Sequence, residues 1–115
     1  MKISGLLDGV DILDVSGDIS GDACGLCYDS RKCEKKSVFV AISGVQFDGH
    51  DFMRDAVKRG ARYVVYDKGN APTLPGAACI KVVESRLALA QRAVDFDFRL
   101  VRQIGDDASV GFQSP

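Results

Sequence analysis

Short runs of β-branched and aromatic residues recur along the chain and predict strands. The most regular run is residues 37–42 (SVFVAI), which is continuous rather than alternating. A continuous apolar run is typical of an internal strand that is covered on both faces. The same criteria predict further strands at residues 10–15, 23–28, 62–66 and 78–83.

Apolar residues spaced three and four apart predict two helices between these strands. The first helix follows Asp48 and ends at Gly60, where a left-handed cap belongs. Its apolar face comprises Phe52, Met53, Ala56 and Val57. The second helix begins at residues 84–85, and its apolar face comprises Leu87, Ala90, Ala93 and Val94. With a short helical turn near Leu7, this order predicts an α/β fold: a single small domain whose mixed sheet has about five strands and two main helices.

Composition narrows the class of protein. A chain of 115 residues is long enough for one domain, and 46% hydrophobic with 27% charged residues is typical of a folded globular chain. The formal charge of −1 gives no overall field toward nucleic acid or an anionic membrane. The longest apolar run, residues 38–42, is far short of the ~20 residues that span a bilayer. We therefore expect a cytoplasmic protein with neither a nucleic-acid nor a membrane partner.

The four cysteines allow three interpretations. A secreted disulfide framework is disfavoured because Asp8 interrupts any signal-peptide core. A zinc half-site at Cys24 and Cys27 is disfavoured because residues three apart on a strand point to opposite faces. We expect reduced, structural thiols at these positions and at Cys33 and Cys79.

Polar residues follow two of the predicted strands, in residues 28–31 (YDSR) and 44–49 (GVQFDG). Ligands collect at strand ends in open α/β sheets. The amide of Gln46 would suit a uracil edge, an aromatic ring from either loop could stack on a flat base, and Arg31 could pair with phosphate. A polar turn and a glycine-closed helix cap are the simpler interpretation, and the residues alone leave both open.

No catalytic constellation accompanies these loops. His50 is the only histidine, and its position at a helix start is typical of a side chain that faces solvent or bonds to backbone. Neither a G-x-x-x-x-G-K-[ST] nor a G-x-G-x-x-G phosphate loop occurs in the chain.

Four motifs in order resemble the N-terminal domain of the Mur ligases: residues 28–32 (YDSRK), 38–44 (VFVAISG), 48–52 (DGHDF) and 56–61 (AVKRGA). The resemblance covers about residues 1–98. It is strongest to the branch of UDP-N-acetylmuramoyl-tripeptide synthetase (Mur ligase E), and the central stretch is shared with Mur ligase F.

The resemblance implies a domain that binds the UDP part of UDP-N-acetylmuramoyl-L-alanyl-D-glutamate, to which the full-length ligase adds diaminopimelate or lysine. The implied UDP contacts are Tyr28, Ser30, Val45, Gln46 and Phe47, with Arg31 as a candidate phosphate contact. No catalytic or metal-binding residue is implied for this chain. ATP and magnesium are implied for the full-length enzyme only. The alternative, from a different class of function, is a non-catalytic interaction module with the same fold.

The chain departs from the family pattern at two places. Residues 34–37 (EKKS) replace a Pro-Gly-Asp turn, and the sequence after residue 98 lacks the family's ATP loop. We therefore expect a uridine-nucleotide-binding domain at residues 1–98 and a divergent tail at 99–115, without the ATP-binding central and C-terminal domains. The chain alone is predicted to be inactive, and the polar segment 105–115 is predicted to be mobile.

Overall fold

A five-stranded mixed sheet forms the centre of the structure, a computed structural model that describes residues 2–7, 9–44 and 47–88. Its strands are β1 (Ile12–Ser16), β2 (Gly25–Cys27), β3 (Ser37–Val40), β4 (Tyr63–Tyr66) and β5 (Ala78–Val82). They lie in the order β1-β5-β4-β3-β2. Strands β2 to β5 are mutually parallel, and β1 is antiparallel to β5. The predicted mixed α/β sheet is confirmed.

Helices connect and cover these strands. Helix α1 (Ile3–Leu6) opens the chain, and α2 (Met53–Lys58) connects β3 to β4. A 3₁₀ helix at Ser30–Lys32 follows β2, and a second 3₁₀ helix at Gly49–Phe52 directly precedes α2. Residues 85–88 begin the predicted second main helix. Its continuation, the boundary near residue 98 and the segment 105–115 lie outside the described residues.

Side chains alternate between two apolar clusters, one on each face of the sheet. The α1 face contains Ile3, Leu7, Ala23, Val38, Val40, Tyr63, Val65, Ala78, Ile80, Val82 and Ala88. The α2 face contains Cys27, Cys33, Phe39, Ala41, Ala56, Ala61, Val64, Tyr66, Leu74 and Cys79. Complete burial of one large apolar side chain such as Phe39 stabilises a fold by about 1.5–3 kcal/mol.

The position of β3 explains its apolar run. It lies between β2 and β4 in the sheet, and all four of its residues are buried. Strand β1 shows the opposite pattern, because it is an edge strand and all five of its residues are exposed. The internal position predicted for residues 37–42 is confirmed.

Phe52 differs from the prediction that it shares the apolar face of the first main helix. It is 39% exposed, whereas Ala56 is buried and Met53 and Val57 pack against the α2 face. Phe52 is the junction between the 3₁₀ helix and α2, with φ −112° and ψ 8°. This non-helical backbone breaks the helical spacing and turns the ring outward.

The cysteines correct another prediction. Cys27 and Cys33 form a disulfide, whereas Cys24 and Cys79 are free. The 3₁₀ helix after β2 folds the chain back, so that the Cα atoms of Cys27 and Cys33 are 5.9 Å apart. Reduced thiols were therefore the wrong expectation for these two residues. Within the described ranges, no group of three or more His, Cys, Asp or Glu residues is arranged to hold a metal ion, and no helix is both long and apolar enough to cross a membrane.

Gly60 is required where α2 turns into β4. Its φ is 121°, in a region that side-chain-bearing residues rarely adopt. A Cβ at this position would lie 2.9 Å from backbone atoms of Lys35. The Gly60 carbonyl also accepts a 2.9 Å hydrogen bond from the amide of Lys36, which joins this turn to the turn before β3.

We predict that Gly60→Ala destabilises the fold by about 1–3 kcal/mol for the strained backbone alone, with a further cost from the contact with Lys35. Urea unfolding measures the change. Gly69→Ala is the matched control, because Gly69 also has a positive φ (81°) but its added Cβ would meet no atom within 4 Å. Equal losses in the two variants would contradict the requirement for close approach at Gly60.

Candidate functional site

Two loops meet at the carboxyl edge of the sheet. Strands β2 and β3 are parallel neighbours, with Cys27 opposite Phe39. The loop that begins at Tyr28 and the loop that includes Gly44 and Phe47 therefore leave the same edge. This is the position at which open α/β sheets bind ligands. Val45 and Gln46 lie outside the described residues.

The loop after β2 is closed by Asp29. Its carboxylate accepts hydrogen bonds from the Arg31 amide (3.0 Å) and from Nε (3.0 Å) and Nη2 (2.8 Å) of the Arg31 guanidinium. The hydrogen bond from the Arg31 side chain is the main reason that the pKa of Asp29 is lowered. The Arg31 side chain remains 78% exposed, so its guanidinium is held in one place while facing solvent.

Ser30 points inward from the same loop. It is only 5% exposed, and its hydroxyl hydrogen-bonds to the Asp55 carboxylate on α2. This hydrogen bond is the main cause of a lowered pKa for Asp55. Tyr28, next to Ser30 in the loop, is half-buried and packs against the α1 face. The predicted contact residues Tyr28 and Ser30 thus project toward opposite faces of the sheet.

The loop after β3 is a narrow hairpin. Ser43 and Asp48 form an antiparallel bridge, and the Gly44 amide donates to the Phe47 carbonyl at 2.8 Å. One residue pair closer to β3, the Gly49 amide donates a hydrogen bond to the Ile42 carbonyl at 2.7 Å. These bonds join residues 42–44 to residues 47–49 across the loop.

An exposed aromatic pair lies beside the hairpin. The Phe47 ring is 69% exposed and meets the ring of Phe52 edge to face, with centroids 6.4 Å apart and an interplanar angle of 67°. A large apolar ring in this position can stack on a planar ligand. The outward turn of Phe52 at the start of α2 therefore gives Phe47 a supporting neighbour.

Asp48 anchors the base of the hairpin. Its carboxylate accepts from the amide (3.0 Å) and from ring Nδ1 (2.7 Å) of His50, and from the Ser43 hydroxyl (3.4 Å). It also forms an ion pair with Lys68. Burial acts to raise the pKa of Asp48, but the hydrogen bonds from Lys68 and His50 outweigh it and hold that pKa well below its usual range.

His50 connects this hairpin to the end of β4. Its side chain is 7% exposed, and its Nε2 accepts from the Asp67 amide at 3.1 Å. Its Nδ1 lies 2.7 Å from the Asp48 carboxylate, and its Nε2 also lies 3.1 Å from the Asp67 carboxylate. Of the two alternatives expected for His50, facing solvent or bonding to backbone, the structure shows the second.

Asp67 continues the network toward the helical segment after β5. Its carboxylate accepts from the Ser85 amide at 2.9 Å, at the start of helical residues 85–88. Arg86 in that segment donates from Nη2 to the Ser43 carbonyl at 3.0 Å. The network therefore joins the ends of β3, β4 and β5. Sequence reasoning missed Asp67, Lys68 and Asp55; the position of Asp67 directly after a buried strand was the available signal.

The two loops present groups that can bind a ligand. Arg31 supplies a fixed positive charge, Phe47 supplies an exposed ring, and Asp48 holds the hairpin that includes Phe47. His50 is held between Asp48 and Asp67 in the network.

We predict that Asp48→Asn lowers stability at pH 7 by about 1–2 kcal/mol, since it removes charge-assisted hydrogen bonds of which one partner, Lys68, is half-exposed. Because the folded-state pKa of Asp48 is depressed, its stabilisation is full above the unfolded pKa of about 4 and is lost as the pH falls below it. Urea midpoints from pH 7 to pH 2 should therefore converge for the variant and the unaltered chain. Asp11→Asn, at an exposed side chain, is the control and should have little effect. A difference that is constant with pH would contradict this role.

Known proteins resemble the chain over most of its length. The family model described as "Mur ligase family, catalytic domain" matches residues 23–96. The UDP-N-acetylmuramoyl-L-alanyl-D-glutamate–2,6-diaminopimelate ligase 2 of Clostridium acetobutylicum is 38% identical over 90 residues, which are 78% of this chain and 19% of that protein. The corresponding ligase of Clostridioides difficile is 34% identical over 96 residues, 84% of this chain and 19% of that protein.

Solved structures agree with the sequence comparisons. The crystal structure of MurF from Acinetobacter baumannii superposes with a TM-score of 0.63 at 25% identity, covering 78% of this chain and 19% of that chain. MurF ligase from Thermotoga maritima in complex with ADP superposes with a TM-score of 0.51 at 28% identity, covering 61% of this chain and 16% of that chain. The chain spans about a fifth of the length of the curated relatives it matches. Because the family model covers more than half of the sequence, the chain belongs to the Mur ligase family.

Proposed function

We propose that this chain is the N-terminal, UDP-binding domain of a peptidoglycan-precursor ligase, and that it binds the UDP part of UDP-N-acetylmuramoyl-L-alanyl-D-glutamate. The relatives named after this substrate support the choice of ligand. The observation that carries the proposal is the meeting of the loop after β2 and the hairpin after β3 at one carboxyl edge. Addition of diaminopimelate is then the reaction of the full-length ligase.

The chemistry of the two loops suits a uridine nucleotide. The exposed ring of Phe47 offers a stacking surface for uracil, and the side-chain amide of Gln46 would complement the uracil edge. Arg31 carries an exposed guanidinium, which favours a diphosphate. Tyr28 and Val45 complete the proposed contact set.

The role proposed for Ser30 requires an exchange of partners. Its hydroxyl bonds to Asp55 and is nearly buried, so a ligand oxygen would replace the Asp55 carboxylate as the acceptor. Replacement of a carboxylate by a diphosphate oxygen preserves a hydrogen bond to an anion. Ser30 can then contribute to binding without leaving a buried hydroxyl unpaired.

The residues of this chain do not fit ATP with magnesium. The sequence has no phosphate loop, and the described residues bring together no set of metal ligands. We propose that ATP and magnesium bind elsewhere in the full-length ligase and that this chain alone forms no amide bond. ADP release on mixing the chain with the dipeptide precursor, ATP, magnesium and diaminopimelate would contradict this.

The similarity to D-alanyl-D-alanine-adding MurF structures supports one alternative, the UDP-binding domain of such a ligase. Tighter binding of the UDP-linked tripeptide than of the UDP-linked dipeptide would favour it. A non-catalytic interaction module is the other alternative, and it predicts no binding of UDP.

Isothermal titration calorimetry tests the ligand directly. We predict that UDP and the UDP-linked dipeptide bind, and that ADP binds at least tenfold more weakly because Gln46 and Phe47 favour uracil. Phe47→Ala should weaken UDP binding by about 1–3 kcal/mol if the base stacks on the ring. Leu13→Ala is the matched control, since Leu13 is 60% exposed on β1, a different edge of the sheet. Equal affinity for UDP and ADP would refute the proposed specificity.

Two further variants separate contact from folding at the polar positions. Ser30→Ala and Gln46→Ala should each weaken UDP binding by about 0.5–1.5 kcal/mol, or about 1.5–3 kcal/mol where the partner is phosphate. Asp55→Ala is the control for Ser30, because it breaks the same internal hydrogen bond but keeps the hydroxyl. If Asp55→Ala weakens binding as much as Ser30→Ala does, Ser30 acts by holding the loop on α2 rather than by touching the ligand.

A further inference from the structure

A covalent ring encloses the loop after β2. Cys27 is the last residue of β2 and Cys33 directly follows the 3₁₀ helix, and their disulfide closes a ring around residues 28–32. Tyr28, Ser30 and Arg31 all lie inside this ring. The disulfide therefore restrains one of the two loops that we assign to UDP, and the effect described below rests on that proposed function.

The surroundings of the two sulfur atoms accommodate thiols as well as a disulfide. The Cys27 Sγ lies 3.5 Å from the Val38 carbonyl oxygen and 3.8 Å from the Ser37 hydroxyl. The Cys33 Sγ lies 3.9 Å from the Asp29 carbonyl oxygen. Each thiol would therefore have an acceptor within hydrogen-bonding range after reduction, so neither state leaves a buried polar group without a partner.

The other cysteines are not equivalent to this pair. Cys24 is exposed and free, and it precedes β2 outside the ring. Cys79 is buried on β5, where burial raises its thiol pKa and disfavours the reactive thiolate. Cys27 and Cys33 are 6% and 9% exposed, so Cys33 is the slightly more accessible of the two.

We propose that Cys27 and Cys33 form a reversible thiol–disulfide exchange site for small thiols, and that closing the ring raises the affinity of the enclosed loop for UDP. Reduction begins when a small thiolate attacks Sγ of Cys33. The sulfur–sulfur bond breaks, and Cys27 leaves as a thiolate that takes up a proton. A second small thiolate then attacks the mixed disulfide and releases Cys33, so that two thiols are oxidised to one disulfide while the protein gains two thiols.

The direction of the effect follows from loop entropy. The closed ring excludes loop conformations that the reduced chain can adopt, and a loop that is already ordered loses less entropy on binding. In both states the Asp29 cap and the Cys33 amide, which donates to the Ser30 carbonyl at 3.2 Å, keep the 3₁₀ turn available. We therefore expect reduction to weaken UDP binding about three- to tenfold rather than to abolish it.

The exchange site is tested on the full chain in defined mixtures of reduced and oxidised dithiothreitol. After acid quenching and alkylation, peptide mass spectrometry should show Cys27 and Cys33 passing together and reversibly between the thiol and disulfide states. Cys24→Ser should preserve this transition, and Cys33→Val should abolish it. Pairing of Cys27 with Cys24, or alkylation of Cys27 and Cys33 in every mixture, would overturn the exchange site.

The effect on the loop is tested by two measurements on the oxidised and reduced chain. Amide hydrogen exchange in residues 28–33 should be faster after reduction, and calorimetry should show the three- to tenfold weaker binding of UDP. Equal exchange rates, or equal affinities, would overturn the effect on the loop. Absence of UDP binding in both states would overturn the proposed function and with it this effect, while the dithiothreitol titration would still decide whether the exchange site exists. If the Cys33→Val variant does not fold, Cys27→Ala takes its place, because it removes the same disulfide.

Discussion

Parallel hydrogen bonding between β2, β3 and β4 decides where every candidate functional residue lies. Because parallel strands all end at the same edge, strand direction alone brings the residues that follow them to that edge. Ser30 follows β2, the hairpin with Phe47 follows β3, and Asp67 follows β4. An antiparallel partner in place of β2 would have moved Ser30 to the other end of the sheet. The site is in this sense a consequence of strand direction, and the side chains add its chemistry.

The two loops at this edge are held by different forces. The loop after β2 is fixed by a covalent bond and by the Asp29 carboxylate, both within its own few residues. The hairpin after β3 depends on Asp48, whose partners come from its own strand connection and from Lys68 beyond β4. The geometry of the first loop thus responds to thiol chemistry, and that of the second responds to acid. Both remain connected through α2, which bonds to Ser30 and follows directly from the Asp48 cap.

Much of this fold is predictable from the sequence, because strand runs such as residues 37–42 and the helical spacing before Gly60 are local signals. The meeting of the two loops is also predictable, since it requires only that their strands be parallel neighbours. The disulfide was not predicted, because Cys24 and Cys27 are the closest cysteines in sequence and the 3₁₀ turn that brings Cys33 back to Cys27 was not recognised from the sequence. The inward direction of Ser30 was not predictable either. Loop side chains have no periodicity, and the contact with Asp55 depends on where α2 lies.

The distribution of tyrosines gives this chain a built-in optical reporter. It contains no tryptophan and three tyrosines, so its ultraviolet emission comes mainly from tyrosine. Tyr63 and Tyr66 are 2% and 1% exposed within the sheet, whereas Tyr28 is half-buried at the first loop. Tyr28 is therefore the tyrosine that is more accessible to solvent and to solutes. A change in tyrosine emission below the unfolding transition therefore points first to the ring of Tyr28, without any added label.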